Sequence, residues 1–458
     1  MKIYNTLTRQ KQELETVEKG KVGIYACGPT VYNYIHIGNA RPICVFDVLR
    51  RYLEWRGYEV NFVQNFTDID DKLINKAKEE GITVPEVAER YINEFFIDSK
   101  GLNIRPATTH PKATENIDEI IGIISTLVEK GYAYASNGDV YFRTKKFEQY
   151  GKLSHQPLEE LEAGARIDVT DVKEDPMDFA LWKGVKPGEP FWPSPWGDGR
   201  PGWHIECSAM SQKYIGKTLD IHCGGQDLIF PHHENEIAQS ECASGCAFAN
   251  YWMHNGYINV DNRKMSKSLG NFFTVRQVAE KYGYEPIRYL MISSHYRSPI
   301  NYSVEIIEQS QNALERLYNC RENMVFRLKS AAEGESTADF EKYKTEFINA
   351  MEDDLNTADA ITAVFNLVKQ INTMLQGEAS KQDIQNALNM FNELCSVLGL
   401  VYNVNEQSLD SEIEDLIAQR TQARADRDFA KADQIRDKLK QMGITLKDTP
   451  QGVTWTRD

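Results

Sequence analysis

The run KVGIYAC at residues 21–27 stops at Gly28-Pro29, and the stretch that follows constrains the fold more than any other part of the chain. A short apolar run closed by a Gly-Pro turn is a strand signal. Past Gly38, the residues Phe46, Leu49 and Leu53 stand at i, i+3 and i+7, one face of a helix. EVNFVQNF at residues 59–66 reads as a second strand. Strand, helix, strand in this span is a βαβ unit. It demands a parallel sheet with a right-handed crossover, and places a ligand crevice at the carboxyl ends of the strands. Two more helices are predicted over 70–80 and 84–95.

Residues 107–200 have a different texture. One helix is predicted at 117–130, β-like pieces such as 139–143 follow, and the tract PGEPFWPSPW occupies 187–196. This pattern predicts an insertion rather than a continuation of the sheet. The α/β pattern resumes with TLDIHC at 218–223, then a Gly224-Gly225 turn and a helix beginning near Pro231, where proline suits a first turn. From 303 onward the period is helical, over 306–328, 340–353, 357–375 and 381–398. Residues 401–415 hold five acidic and no basic side chains, whereas 416–458 hold nine basic and six acidic. That switch predicts a linker followed by a small separate module. The 458 residues, at roughly 100–200 per domain, suit three or four domains.

Composition narrows the class. With 41% hydrophobic and 26% charged residues, disorder, collagen and coiled coil are excluded. The longest apolar stretch, near 120–128, falls well short of the ~20 residues a bilayer demands. Asn5, Thr6, Thr8, Arg9 and Gln10 make a polar start, from which no export signal and a cytoplasmic location are expected. Eight dispersed cysteines then read as reduced thiols, buried or metal-bound. A net charge of −15 argues against non-specific polyanion binding over the whole surface, while leaving room for a locally basic face.

Two short segments carry chemistry. His36-Ile37-Gly38-Asn39 falls between the first strand and the first helix. Unpaired N–H groups and the positive dipole end of a helix N-terminus suit phosphate there. Gly38 permits close backbone approach, and His36 can either donate to a phosphate oxygen or simply cap the helix. Lys264-Met265-Ser266-Lys267-Ser268 is a dibasic loop. Two ammonium groups three residues apart can clamp a polyphosphate and follow charge onto leaving pyrophosphate. Alone, the loop would read as solvated lysines.

HIGN and KMSKS resemble the two signature motifs of class I aminoacyl-tRNA synthetases. Cys27-Gly28-Pro29-Thr30-Val31-Tyr32, Asn65-Phe66-Thr67-Asp68-Ile69-Asp70-Asp71-Lys72, Arg200-Pro201-Gly202-Trp203-His204-Ile205-Glu206-Cys207-Ser208 and Phe230-Pro231-His232-His233-Glu234-Asn235-Glu236 together resemble the cysteinyl-tRNA synthetase family, over Tyr4 to Trp455. One departure is Asn39, where the family's commonest motif has a second histidine; asparagine offers a hydrogen-bond donor and never a charge. The resemblance implies an α/β fold: a class I Rossmann-type catalytic domain in two halves (1–106 and 201–250) split by a connective insertion (107–200). A segment with the KMSKS loop (251–302), an α-helical bundle for the tRNA stem (303–403) and a small C-terminal α/β anticodon-binding module (404–458) follow. It implies cysteine activation by ATP with Mg²⁺ and transfer to tRNA(Cys), by a monomer. His36, Asn39, Lys264 and Lys267 would be catalytic. Gly38, Gly224, Gly225, Asp227 and Lys267 would hold ATP, and Gly28, Thr67, Trp203 and His222 would shape the amino-acid pocket.

A metal site follows from the same residues. His232 and Glu236, at i and i+4, share a helical face, Cys27 ends one strand, and Cys207 precedes the second α/β half. If the halves abut, two thiolates, an imidazole and a carboxylate converge into a tetrahedral Zn²⁺ site, the four residues the resemblance also assigns. A rival set is Cys242 and Cys246 with His233; Cys44, Cys320 and Cys395 read as core. Cysteine and serine differ only in sulfur against oxygen, which a size-based pocket separates poorly. A metal taking the substrate thiolate would separate them, and no editing site is then expected. In the tail, Arg420, Arg424, Arg427 and Lys431 read as a basic helical series. Arg424, Phe429, Asp433 and Trp455 are the expected anticodon contacts, by stacking and base-edge hydrogen bonds. A tRNA-independent cysteine ligase and a catalytically silent binder are the rival functions; intact KMSKS lysines argue against the latter.

Overall fold

The computed structural model describes residues 1–156, 173–264, 272–404, 409–426, 428–441, 444–449 and 452–457. Two compact units divide the chain, Met1–Val401 and Tyr402–Asp458. The first begins with a hairpin, β1 (Lys2–Asn5) and β2 (Gln10–Glu13). Next come β3 (Lys21–Ala26), α1 (Ile37–Trp55), β4 (Glu59–Gln64), α2 (Asp71–Glu80) and α3 (Val84–Gly101). Thr83 starts α3 through a capping box, its hydroxyl and backbone N–H both donating to Glu86 Oε2 at 2.7 Å.

An antiparallel sheet of β5 (Ala133–Ser136), β6 (Asp139–Phe142), β7 (Phe179–Gly184) and β8 (Gly199–Pro201) follows α4 (Ile117–Glu129). The Ile120, Ile124 and Leu127 face of α4 packs on Val140, Phe142, Leu181 and Trp182, and also on Ile205, Ala209 and Ala238. The last three lie on α5 (Ile205–Tyr214) and α6 (Glu234–Ser244). Each such fully buried side chain stabilises by about 1.5–3 kcal/mol. The inserted sheet is thus clamped to the two helices that carry Cys207 and Glu236.

With β9 (Leu219–Gly225) and β10 (Ala249–Asn255), the central sheet is all parallel in the order β10-β9-β3-β4. Six of the seven residues of β9 are buried, as expected where helices cover both faces of a parallel sheet. Strand order reverses between β3 and β9, so the crevice at their carboxyl ends is the switch point of the sheet. Tyr25 and Ala26 pair there with His222 and Cys223, and the N–H of Cys27 donates to the Cys223 carbonyl at 3.3 Å.

Strand β11 (Ile258–Val260) pairs with β12 (Arg263–Lys264), then come α7 (Val275–Tyr282), α8 (Tyr284–Ile292) and β13 (Ile300–Tyr302), which lies parallel to β11. Helices α9 (Val304–Leu328), α10 (Glu341–Glu352), α11 (Thr357–Leu375) and α12 (Lys381–Leu398) pack as a bundle. No helix among the described residues is long and apolar enough to cross a membrane. The second unit holds α13 (Leu409–Ala425), α14 (Phe429–Gln441) and the antiparallel pair β14 (Ile444–Thr449) and β15 (Gly452–Arg457), around Leu416, Ile435, Leu439 and Ile444.

Three sequence expectations need correction. The helix expected near Pro231 begins at Glu234, because Phe230 is extended (φ −135°, ψ 134°) and Ile229–His233 close a wider helical turn first. The acidic stretch 401–415 is not linker throughout, since α13 starts at Leu409. The basic series of the tail is divided: Arg420 and Arg424 lie on α13 and Lys431 on α14, while Arg427 lies outside the described residues. Asp428 caps the second helix by accepting the Lys431 N–H at 3.1 Å.

Candidate active site and metal cluster

The tip of α1 faces the crevice. Its N-cap is His36, whose N–H donates to Asn39 Oδ1 at 3.1 Å, while the Asn39 N–H donates to the His36 carbonyl at 2.8 Å. Asparagine at this position therefore closes a reciprocal cap. The Ile37 N–H is already taken by the Phe273 carbonyl at 3.0 Å, and the Val275 N–H donates to the Ile35 carbonyl at 2.9 Å. The helix tip is thus laced to the residues just past the KMSKS segment, and fewer of its donors are open than the sequence suggests. Residues 265–271, Lys267 among them, and the side chain of Lys264 lie outside the described set.

Gly28 crosses the crevice floor: its N–H donates to Asn65 Oδ1 at 2.9 Å, and a Cβ there would collide with the Asn65 carbonyl. Gly224 and Gly225 end β9, where a Cβ on Gly224 would meet His233 Cε1 at 2.8 Å. The exposed Asp227 stands beyond them on a short turn, Gln226–Leu228. Thr67 is buried and donates to Glu206 Oε2 at 2.9 Å. Trp203, 40% exposed, stacks its ring on His232 at 4.3 Å.

Cys27 from the end of β3, Cys207 from the first turn of α5, His232, and Glu236 from α6 meet at the switch point. Sγ of Cys27 lies 3.9 Å from Sγ of Cys207 and 3.5 Å from Glu236 Oε1. Cys207 Sγ is 3.7 Å from His232 Nε2, which is 2.9 Å from Glu236 Oε1. Bonds of ~2.0–2.3 Å to a tetrahedral zinc place its ligand atoms about 3.3–3.8 Å apart. The Cys27–Glu236 and Cys207–His232 separations fall in that range and the two sulfurs lie just beyond it. The His232–Glu236 pair is at hydrogen-bond distance and would open by a few tenths of an ångström around an ion. Their outer atoms are held as well: His232 Nδ1 meets His204 Nδ1 at 2.9 Å, and Glu236 Oε2 meets His222 Nε2 at 2.8 Å.

Electrostatics deprotonate two of the four donors, Cys207 and Glu236, and leave a proton on Cys27 and on His232 that a metal would displace. A hydrogen bond from the Cys27 thiol, followed by His232, pulls the Cys207 thiol down to about 6 against burial. Burial and the neighbouring Cys207 push Cys27 up. One thiolate shared by two sulfurs results. Burial raises the Glu236 carboxyl, but His222 and His232 outweigh it and hold the group well below the ordinary carboxylate range. Burial alone would lower His232, yet Glu236 and Cys207 raise it to about 10.

A second grouping, Cys27, His222, His233 and Glu236, shares two of these residues. In it His233 is engaged on both ring nitrogens, by Cys27 Sγ at 3.4 Å and His254 Nε2 at 2.8 Å. The rival set is not assembled: Cys242 is buried against α4 and Cys246 is exposed, whereas His233 turns toward Cys27. The plain i, i+4 pattern of His232 and Glu236 was visible in the sequence. The sequence offers His233 only as part of the rival set, and nothing local marks His204 or His254 as supports, His254 lying on a strand of the sheet. In the tail, Arg424 and Asp433 are exposed, and Asp433 pairs with Arg436 at 3.1 Å. Phe429 is 62% exposed. The backbone of Trp455 lies in β15 opposite Leu446; its side chain is outside the described set.

The fold is shared with solved aminoacyl-tRNA synthetases. Mycobacterium tuberculosis methionyl-tRNA synthetase, solved with methionyl-adenylate, superposes with a TM-score of 0.60 at 15% identity, over 82% of this chain and 89% of that one. Agrobacterium radiobacter K84 agnB2 LeuRS, solved in a ternary complex with tRNA, gives 0.60 at 13%, over 85% and 86%. These likenesses define the fold. Residues 13–312 match the family of class I (C) tRNA synthetase catalytic domains, 346–402 the DALR domain and 406–455 the cysteinyl-tRNA ligase anticodon-binding domain. The chain is 57% identical to the cysteine–tRNA ligase of Clostridioides difficile over all of both chains, and 56% identical to that of Caldicellulosiruptor saccharolyticus over 99% of each. It belongs to the cysteine–tRNA ligase family.

Proposed function

We propose that the chain activates L-cysteine with ATP and Mg²⁺ and transfers it to the 3′ end of tRNA(Cys). The observation that carries the reading is the convergence of Cys27, Cys207, His232 and Glu236 beside the tip of α1, so that a sulfur-binding cluster and a phosphate-binding site share one crevice. In the first step a carboxylate oxygen of cysteine forms a bond to the α-phosphorus of ATP as the bond to pyrophosphate breaks. No side chain acts as nucleophile; orientation and charge stabilisation supply the rate. His36, the backbone of Gly38 and the side-chain NH2 of Asn39 hold phosphate oxygens, while Lys264 and Lys267 follow the charge onto pyrophosphate. Asp227 accepts from the ribose hydroxyls, with Gly224 and Gly225 letting the nucleoside approach the backbone. Thr67, Trp203 and His222 bound the amino-acid pocket, and Gly28 forms its floor. In the second step a terminal ribose hydroxyl of the tRNA takes the cysteinyl group and AMP leaves.

Zinc is the metal this reading assigns to the four-residue cluster, where it would take the substrate thiolate as a further ligand and so exclude serine. Two thiol donors in the set support it. A reducing cytoplasmic setting is part of the reading, in keeping with eight free thiols. Arg424, Phe429, Asp433 and Trp455 are the proposed anticodon contacts, supported by the exposed ring of Phe429.

Cysteine-dependent ATP–pyrophosphate exchange, followed by charging of tRNA(Cys), tests the function. Exchange without charging would point to a small-amine ligase, and neither activity to a silent binder. Lys267→Ala should slow exchange about 100-fold with cysteine binding, read by isothermal titration, unchanged; an unaltered exchange rate removes this lysine from the mechanism. Deleting residues 404–458 should lower kcat/KM for charging at least ~100-fold, the order that a loss of nearly 3 kcal/mol of RNA contact produces, while exchange stays within about twofold. Parallel loss of both would make the tail structural.

A further inference from the structure

Arg41 occupies the second turn of α1, directly behind the helix tip. Its side chain is wholly buried. The guanidinium donates to the carbonyl of Tyr257 at 3.3 Å through Nη1 and to the carbonyl of His295 at 3.0 Å through Nη2. Its Nε has no partner, and no carboxylate pairs with it among the described residues. Residues 265–271 contain no acidic side chain either. Other buried arginines of the same unit each touch a carboxylate, Arg51 and Arg288 the same Asp47, and Arg200 both Asp71 and Glu189. A buried cation without a counter-charge is costly to any fold and is ordinarily paired. Burial pushes Arg41 down only to about 10, so it keeps its proton at neutral pH.

Its two carbonyl partners belong to the rim of the crevice. Tyr257 follows β10, and its phenol is raised by burial and by the charge of Asp227. The His295 stretch includes Arg297, whose carbonyl accepts from Gln226 Nε2 at 3.4 Å, and Tyr296, whose carbonyl accepts from the Gly256 N–H at 2.8 Å. Arg41 therefore ties two rim loops to α1 and leaves a positive charge beneath them, shielded from water and facing the same end of the sheet as the helix dipole.

We propose that Arg41 is a positioning residue of the adenylation step, a buried charge that is balanced only when a nucleotide polyphosphate occupies the crevice. The inference rests on the proposed function, because it takes ATP as the occupant. Neither HIGN nor KMSKS includes this residue.

Arg41→Gln removes the charge and retains an N–H donor; Arg41→Lys keeps the charge and loses the fork. Dissociation constants for ATP and for adenosine, and the unliganded thermal midpoint, are to be measured on full-length protein. Arg41→Gln should weaken ATP about tenfold, as one charge acting across the crevice at intermediate dielectric would. Adenosine should bind within twofold of wild type, and the unliganded midpoint should be equal or higher. Arg41→Lys should bind ATP within about threefold of wild type. The proposal is overturned if ATP and adenosine weaken alike, if Arg41→Gln lowers the midpoint with ATP affinity intact, or if Arg41→Lys is as impaired for ATP as Arg41→Gln. Should Arg41→Gln fail to fold while Arg41→Lys folds, the charge serves the apo structure and the proposal is equally overturned. Wild-type protein lacking cysteine-dependent exchange would count against the proposed function; wild-type exchange with normal ATP binding by Arg41→Gln would sink this inference alone.

Discussion

Cys207→Ser should lose the metal and raise the KM for cysteine by about 100-fold or more, with the KM for ATP moving less than about threefold. Serine's hydroxyl does not ionise where the Cys207 thiol is drawn down to about 6, and oxygen replaces the softer donor. His232 and Glu236 remain 2.9 Å apart, so three donors stay in place and the loss is specific to one. Metal analysis of the purified variant, together with exchange kinetics at varied cysteine and varied ATP, reads both halves of the expectation. Equal rises in both KM values would mean that Cys207 holds the crevice together rather than gripping sulfur. Thr67 and Trp203 lie outside the cluster, so their substitution should leave the metal bound.

The second large effect concerns stability. Arg288→Met should destabilise the first unit by about 3–5 kcal/mol, the cost of breaking one side of a buried ion pair. Arg288 is fully buried and donates through Nη2 to Asp47 at 2.6 Å, through Nε to the Leu398 carbonyl at 2.9 Å and through Nη1 to the Leu102 carbonyl at 3.0 Å. It thereby gathers the ends of α3 and α12 onto α1, and Gly399, at φ +67°, leaves room for the guanidinium. Urea unfolding followed by tryptophan fluorescence checks the magnitude, and a loss below ~1 kcal/mol would show the junction to be incidental. Burial pushes the Asp47 carboxyl up, but Arg288 and Arg51 pull it below its ordinary value. Its contribution is therefore present above the unfolded-state value of about 3.9 and disappears as pH falls through the folded value. Wild type should accordingly lose more stability than Asp47→Asn on acidification below pH ~4.

Much of this arrangement was legible in the sequence because it is local. The apolar run at 21–27, the helical spacing of Phe46, Leu49 and Leu53, and the i, i+4 pair of His232 and Glu236 each depend on neighbours in the chain. The parallel pairing of Tyr25 with His222 does not, so the residues alone could join Cys27 to Cys207 only on the condition that the two halves abut. Periodicity missed the start of α6, because Pro231 is a favourable first-turn residue and nothing local reports that Phe230 stays extended. The division between α13 and α14 was hidden for a similar reason: arginines at helical spacing continue across a break that Asp428 caps. Arg41 was equally silent. A lone arginine on a helix reads as surface until its burial and lack of a carboxylate are seen.

Cys27 and Cys207 are separated by 180 positions, with the inserted antiparallel sheet between them. At 5–20 residues per second of ribosomal synthesis, the first sulfur leaves the exit tunnel roughly 10–40 s before its partner, and β3 waits as long for β9. During that interval the emerging N-terminal segment carries Cys27, besides Cys44 of α1, with a thiol that is neither chelated nor shielded by α6. An ion bound by this cluster would accordingly be loaded late in the life of the nascent chain, once the sheet has closed.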